Sequence, residues 1–186
     1  MSNVEAILDR AANGAAPSAE EAMTLADSAV LARLLPVAAS LRDRGFANVI
    51  TYSKKVFIPL THLCRNVCHY CTFAQAPKKI EAPYLTIDEI LETARGAASV
   101  GCKEALFTLG EKPELRYQAA RDALSAMGYE TTTDYLHAAA AAVFEETRLL
   151  PHLNPGTLTL PELERLRRVS ASMGLMLESS AERLTH

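Results

Sequence analysis

The chain has 186 residues, enough for one domain with a real core. Apolar residues make up 49% and charged residues 22%, the balance of a folded globular protein and not of a disordered one. The formal net charge of -3 offers no broad positive field for nucleic acid, and no apolar run reaches the about 20 residues of a membrane span.

The opening stretch MSNVEAILDRAANG contains acids and no apolar signal core, so the expected compartment is the cytoplasm. Residues 1–50 read as a helical leader. VEAILDRAA ends at Gly14, Ser18 and Glu21 have the spacing of a capping box before AEEAMTLADS, and a third helix over about 29–44 is expected to stop at Gly45.

The pattern then changes. KVFIPLT (Lys55–Thr61) is a short run of strand formers, and a cysteine-rich loop follows it directly. Thr86 and Glu89 form a second capping-box pattern, before IDEILETARGAASV, which closes at Gly101. EALFTL (Glu104–Leu109) reads as a second strand. Pro113 is expected to open a helix that runs to about Met127 and ends at Gly128. A further helix follows over about 133–147. LLPHLN (Leu149–Asn154) is a third strand, weakened by Pro151, and Pro161 starts another helix in its favoured first position. GLMLE (Gly174–Glu178) is expected to be a fourth strand.

Strands thus alternate with helices four times. The apolar runs are continuous, as in parallel strands buried on both faces. The pattern predicts an α/β fold: a partial β/α (TIM-like) barrel of about four β/α units over residues 51–186, behind the helical leader of residues 1–50. A full barrel takes about 250 residues, so the chain is expected to be a truncated piece with unprotected sheet edges and poor solubility.

The loop LCRNVCHYCTF spaces its thiols as Cys64-x3-Cys68-x2-Cys71. In a reducing compartment such a cluster points to metal, not to disulfides. Two readings stand side by side. Three thiolates can hold an iron–sulfur cubane whose fourth iron stays open to a small molecule. They can also hold a structural zinc, with His62 or His69 as fourth ligand, although no second cysteine pair is present. Cys102 lies at the foot of the second strand, away from the loop, and reads as a small buried hydrophobe.

With Tyr70 before the last cysteine, this motif resembles the signature of the radical S-adenosylmethionine (SAM) enzymes. More narrowly, TYSKKVFIPLTHLCRNVCHYCTF, GCKEALFTLGEKPE, LLPHLNPG and SMGLMLESSAERL resemble the FO synthase family, in the half that closes the deazaflavin ring. The resemblance covers roughly residues 51–184 and implies a radical SAM barrel. It implies a 4Fe-4S cluster on Cys64, Cys68 and Cys71, and S-adenosyl-L-methionine on the open iron. The implied reaction uses a 5′-deoxyadenosyl radical to abstract hydrogen from a hydroxybenzyl adduct of 5-amino-6-ribitylaminouracil. Ring closure with loss of ammonia then yields 7,8-didemethyl-8-hydroxy-5-deazariboflavin. The implied partners are an electron donor protein and the companion radical SAM half that makes the adduct, with no nucleic acid and no membrane.

The resemblance also suggests cofactor contacts. Gly110 and Glu111 match the GGE element that meets the methionyl ammonium, with Leu109 in place of its first glycine; the bland alternative is a turn. Tyr70 offers a stacking face near the adenine. Glu178 is a candidate for the nucleoside or methionyl part, against a helix-capping or surface acid, and Asn154 for a hydrogen bond to a ribose or substrate, against an Asn-Pro-Gly turn. His152 reads as structural, and Phe73 as packing around the cluster. Arg65, Lys54, Lys55, Lys78 and Lys79 read as a loose, mostly solvated basic set. Rival readings are another radical SAM enzyme, of menaquinone-pathway or biotin-synthase type, and a truncated, catalytically silent chain that binds a metal.

Overall fold

A computed structural model describes residues 3–176, together with 181 and 183. The chain separates into two compact units, Met1–Tyr52 and Ser53–His186.

The first unit contains helices α1 (Asn3–Ala12), α2 (Ala19–Leu25) and α3 (Leu31–Phe46). Ile7, Leu8, Leu25 and Val30 form its small core. Ser18 caps α2 as expected: its hydroxyl accepts from the Glu21 N–H, and the Glu21 carboxylate accepts from the Ser18 N–H at 3.0 Å. The third helix starts later than its sequence suggests, behind a 3-10 turn at Ser28–Val30. It also passes through Gly45 to Phe46. A helical interior tolerates one glycine at a cost of about 1 kcal/mol, and here the positive φ falls on Ala47 instead.

The second unit is a partial TIM-like β/α barrel. Its strands β1 (Lys55–Thr61), β2 (Glu104–Leu109), β3 (Leu150–Asn154) and β4 (Ser172–Met173) form one parallel sheet in the order β1-β2-β3-β4. The connecting helices are α4 (Ile87–Ser99), α5 (Gln118–Ala126), α6 (Thr132–Thr147) and α7 (Leu160–Leu166). Ile58, Leu60, Ala105, Phe107 and Leu153 pack with Ile90 and Ala94 of α4, Leu124 of α5 and Leu136 and Val143 of α6. Thr86 and Glu89 form the expected capping box that starts α4.

Three expectations need correction. The strands are not buried on both faces: burial alternates along β2, and Phe57 on the opposite face of β1 stays 49% exposed. Continuous apolar composition conceals this, because Phe57 and Leu106 are as apolar as the residues facing the helices. The helix expected from Pro113 divides into a 3-10 turn (Pro113–Leu115) and α5, since Tyr117 adopts an extended backbone between them. The fourth strand lies at Ser172–Met173, where register with β3 pairs His152 with Ser172 and Leu153 with Met173. Of the expected stretch 174–178, the described residues 174–176 are not in a strand, while Leu177 and Glu178 lie outside the described residues.

Register places Phe57, Leu106 and His152 side by side on the half-exposed face, with Pro59, Thr108 and Asn154 in the next row. The two faces should therefore respond differently to truncation. Phe107→Ala should cost about 3–5 kcal/mol, and Phe57→Ala less than half of that, as read from urea unfolding midpoints at constant m-value.

Candidate metal and cofactor site

In a parallel sheet every strand ends on the same edge. The segments after β1, β2 and β3 therefore meet, and they carry the cysteine loop, Gly110–Glu111 and Asn154–Thr157.

The cysteine loop is fastened at its base. Leu63 is fully buried, its N–H donates to Thr61 Oγ1 at 3.0 Å, and the Thr61 hydroxyl donates to Pro83 O at 2.6 Å. At the far end Gln75 N–H donates to His62 O at 2.9 Å. The His62 Nδ1 lies 3.1 Å from Phe73 O, and the two rings sit 4.5 Å apart. Phe73 also meets Phe57 edge to face at 6.2 Å, so it does pack beside the loop.

Cys64 is half-buried, whereas Cys68 and Cys71 are exposed. Backbone N–H groups are directed at two of the sulfurs. Cys64 Sγ accepts from Glu111 N–H at 3.2 Å and from Asn66 N–H at 3.4 Å; Cys71 Sγ accepts from Ala74 N–H at 3.5 Å. Among the described residues the thiols are not already drawn into a three-ligand group. The donor set nonetheless fits an iron–sulfur cluster: soft sulfur ligands on one short loop, with N–H donors to sulfur of the kind that tunes such clusters. Cys102 is half-buried against the sheet core.

Glycine is required at position 110. A Cβ there would run into Leu63 O and lie 2.8 Å from Cys64 Cβ. The backbone just after β2 thus passes close against Leu63 and Cys64.

Glu111 is buried, and its side chain is fully engaged within the protein. Its Oε1 accepts from Arg65 Nε at 2.8 Å, from Arg65 Nη2 and from Thr157 Oγ1 at 2.6 Å. Its Oε2 accepts from Thr157 N–H at 3.1 Å. A Cβ at Gly156, where φ is +80°, would come within 2.5 Å of that oxygen. Burial alone would raise the Glu111 pKa, but the Thr157 and Arg65 donors outweigh it and hold the carboxyl below its ordinary value.

The rest of GEKPE is committed as well. Lys112 has a left-handed backbone (φ 36°), and its Nζ donates to Glu162 Oε2 at 2.8 Å. Glu162 also closes the capping box of α7 with Thr159. Glu114 is buried and accepts from Thr132 Oγ1 at 2.6 Å and from Thr132 N–H at 3.2 Å, at the start of α6.

Asn154 lies on the half-exposed face with its Oδ1 3.1 Å from His152 Nε2, while His152 Nδ1 lies 2.6 Å from Ser172 Oγ. Tyr70 is 65% exposed in the cysteine loop. The structure thus brings Cys64, Gly110 and Glu111 into direct contact. Sequence reasoning missed Arg65 and Thr157 as their partners; neither carries a local pattern that would have marked it.

A parallel β/α half-barrel with a three-cysteine loop on the strand C-terminal edge defines a class of metal-dependent barrel proteins. Residues 58–186 match the family model of the Radical SAM superfamily, and the chain belongs to that superfamily. It is 49% identical over 188 residues to the FO synthase of Streptomyces coelicolor, with 95% of this chain and 22% of that protein covered. It is 48% identical over 136 residues to the 7,8-didemethyl-8-hydroxy-5-deazariboflavin synthase of Methanopyrus kandleri, with 73% of this chain and 41% of that protein covered. The chain therefore spans well under half the length of these curated relatives. The crystal structure of methylornithine synthase (PylB) shares its fold, with a TM-score of 0.70 at 23% identity over 96% of this chain and 49% of that one. Among the described residues no helix is long and apolar enough to cross a membrane.

Two outcomes follow from this geometry. Gly110→Ala should lower the unfolding midpoint and raise the alkylation rate of Cys64, because a new methyl has no room against Leu63 O. Burial would raise the Glu162 pKa, but Lys112 and Thr159 hold it at about 2. A depressed carboxylate stabilises the fold above its unfolded pKa of about 4.3, and that stability is lost as pH falls toward the folded value. The urea midpoint should therefore fall between about pH 4.3 and pH 2, and Glu162→Gln should flatten that part of the profile.

Proposed function

We propose that the chain is the cluster-bearing part of a radical SAM enzyme of deazaflavin biosynthesis, acting on the hydroxybenzyl adduct of 5-amino-6-ribitylaminouracil. The observation that carries the reading is the thiol loop at the C-terminal edge of the sheet, with the Gly110–Glu111 backbone after β2 packed against Cys64. The near 50% identity to FO synthases supports the choice of substrate within the superfamily.

Cys64, Cys68 and Cys71 would hold a 4Fe-4S cluster. With one electron from the donor protein, that cluster would supply the reductive cleavage of bound S-adenosyl-L-methionine, with methionine as the other product, as the source of hydrogen-abstracting chemistry. The protein's own contribution is placement. Gly110 lets the chain after β2 pass close against Leu63 and Cys64, and Tyr70 offers an aromatic face for an adenine. Asn154 presents its amide to the half-exposed sheet face. Glu178 remains a candidate contact for the methionyl or nucleoside part. Glu111 shapes the site chiefly through its backbone N–H and by anchoring the loop. An electron donor protein and the companion half that builds the adduct complete the proposed partners.

Anaerobic reconstitution with iron and sulfide, reduction and addition of S-adenosyl-L-methionine should give a brown protein that releases 5′-deoxyadenosine. Cys64→Ala, Cys68→Ala and Cys71→Ala should each abolish the colour and the product, and Cys102→Ala should preserve both. A colourless protein that retains one zinc would overturn the assignment. A chain that forms the cluster without cleaving S-adenosyl-L-methionine would favour the silent-fragment alternative.

A further inference from the structure

Arg65 follows the first cysteine directly, and its side chain is 36% exposed. A solvated surface cation would reach into water. Arg65 turns back instead. Its Nε donates to Glu111 Oε1 at 2.8 Å and its Nη2 to Thr157 Oγ1 at 3.2 Å, and Nη2 also contacts Glu111. The backbone repeats the connection: Arg65 N–H donates to Glu111 O at 2.9 Å, and Arg116 Nη1 donates to Arg65 O at 3.1 Å. Glu111 returns its own N–H to Cys64 Sγ at 3.2 Å. The path from guanidinium to thiol thus runs through one residue.

We propose that Arg65 is a positioning residue which, through Glu111 and Thr157, fixes the Cys64 thiol against the end of β2 before any metal arrives. The proposal rests on the cluster reading above and adds an order to it. Cys64 belongs to the sheet edge, and Cys68 and Cys71 belong to the exposed loop that closes around the metal. A planar guanidinium suits this task, because it serves a carboxylate and a hydroxyl at once in fixed directions; an ammonium is a point charge on a flexible stem.

The test uses the full chain without metal. Iodoacetamide is added to the wild type, Arg65→Ala, Arg65→Lys and Thr157→Val, and the alkylation rate of each cysteine is read by peptide mass spectrometry. Arg65→Ala should raise the Cys64 rate about tenfold, the loss of one charge-assisted clamp, and leave Cys71 and Cys102 unchanged. Thr157→Val, which keeps the charge pair, should give a smaller rise at the same residue, and Arg65→Lys should fail to restore the wild-type rate. After reconstitution, the reduction potential of the Arg65→Ala cluster should be more negative, because a Glu111 no longer held by Arg65 donates its N–H less well to Cys64 Sγ, which disfavours the added electron. An unchanged Cys64 rate, or an equal rise at every cysteine, would overturn the clamp. A wild-type chain that builds no cluster would overturn the cluster reading, while the alkylation contrast would still decide whether the clamp exists.

Discussion

A buried carboxylate must have partners, and Glu111 finds all of its own within the protein. Its position just after β2 gives it two sets of neighbours that are far away in sequence: Cys64 and Arg65 of the cysteine loop, and Thr157 in the turn after β3. Removing any one partner would leave a buried charge incompletely paired, which costs more than the pair itself contributes. The three strand ends are therefore tied to one another by a single side chain.

The segment GEKPE extends this principle. Its three charged side chains reach three different elements: Glu111 the cysteine loop, Lys112 the start of α7, Glu114 the start of α6. Two of these contacts fall at helix N-termini, where unpaired N–H groups need acceptors. Glu114 accepts one such N–H directly, and Lys112 steadies the carboxylate that accepts another. The loop after β2 thus serves as a junction, and a ligand arriving at this edge meets a surface already set.

Much of the fold was legible because its signals are local. The bounds of β1 and β2 follow from compact runs of strand formers, and the capping boxes at Ser18 and Thr86 are fixed by a spacing of three residues. The cysteine loop was legible for the same reason. What escaped was long-range. Arg65 looked like a surface charge because Glu111 and Thr157 lie 46 and 92 residues further along the chain. The fourth strand was misplaced because its pairing is set by register with β3, and the more apolar stretch beside it drew the assignment. Phe57 and Leu106 carry no mark that distinguishes the face toward the helices from the other.

The half-exposed face holds one further piece of wiring. Asn154 Oδ1 can only accept, so His152 Nε2 must donate to it. In the neutral ring Nδ1 is then left to accept from the Ser172 hydroxyl. With Asn154 Oδ1 toward the histidine, its NH2 group is turned away from it. The side chain then has a polarity: it offers a visitor the two hydrogens of its NH2 group, while one lone pair of its oxygen is already taken by His152. An aspartate in its place would have nearly the same shape and the opposite message.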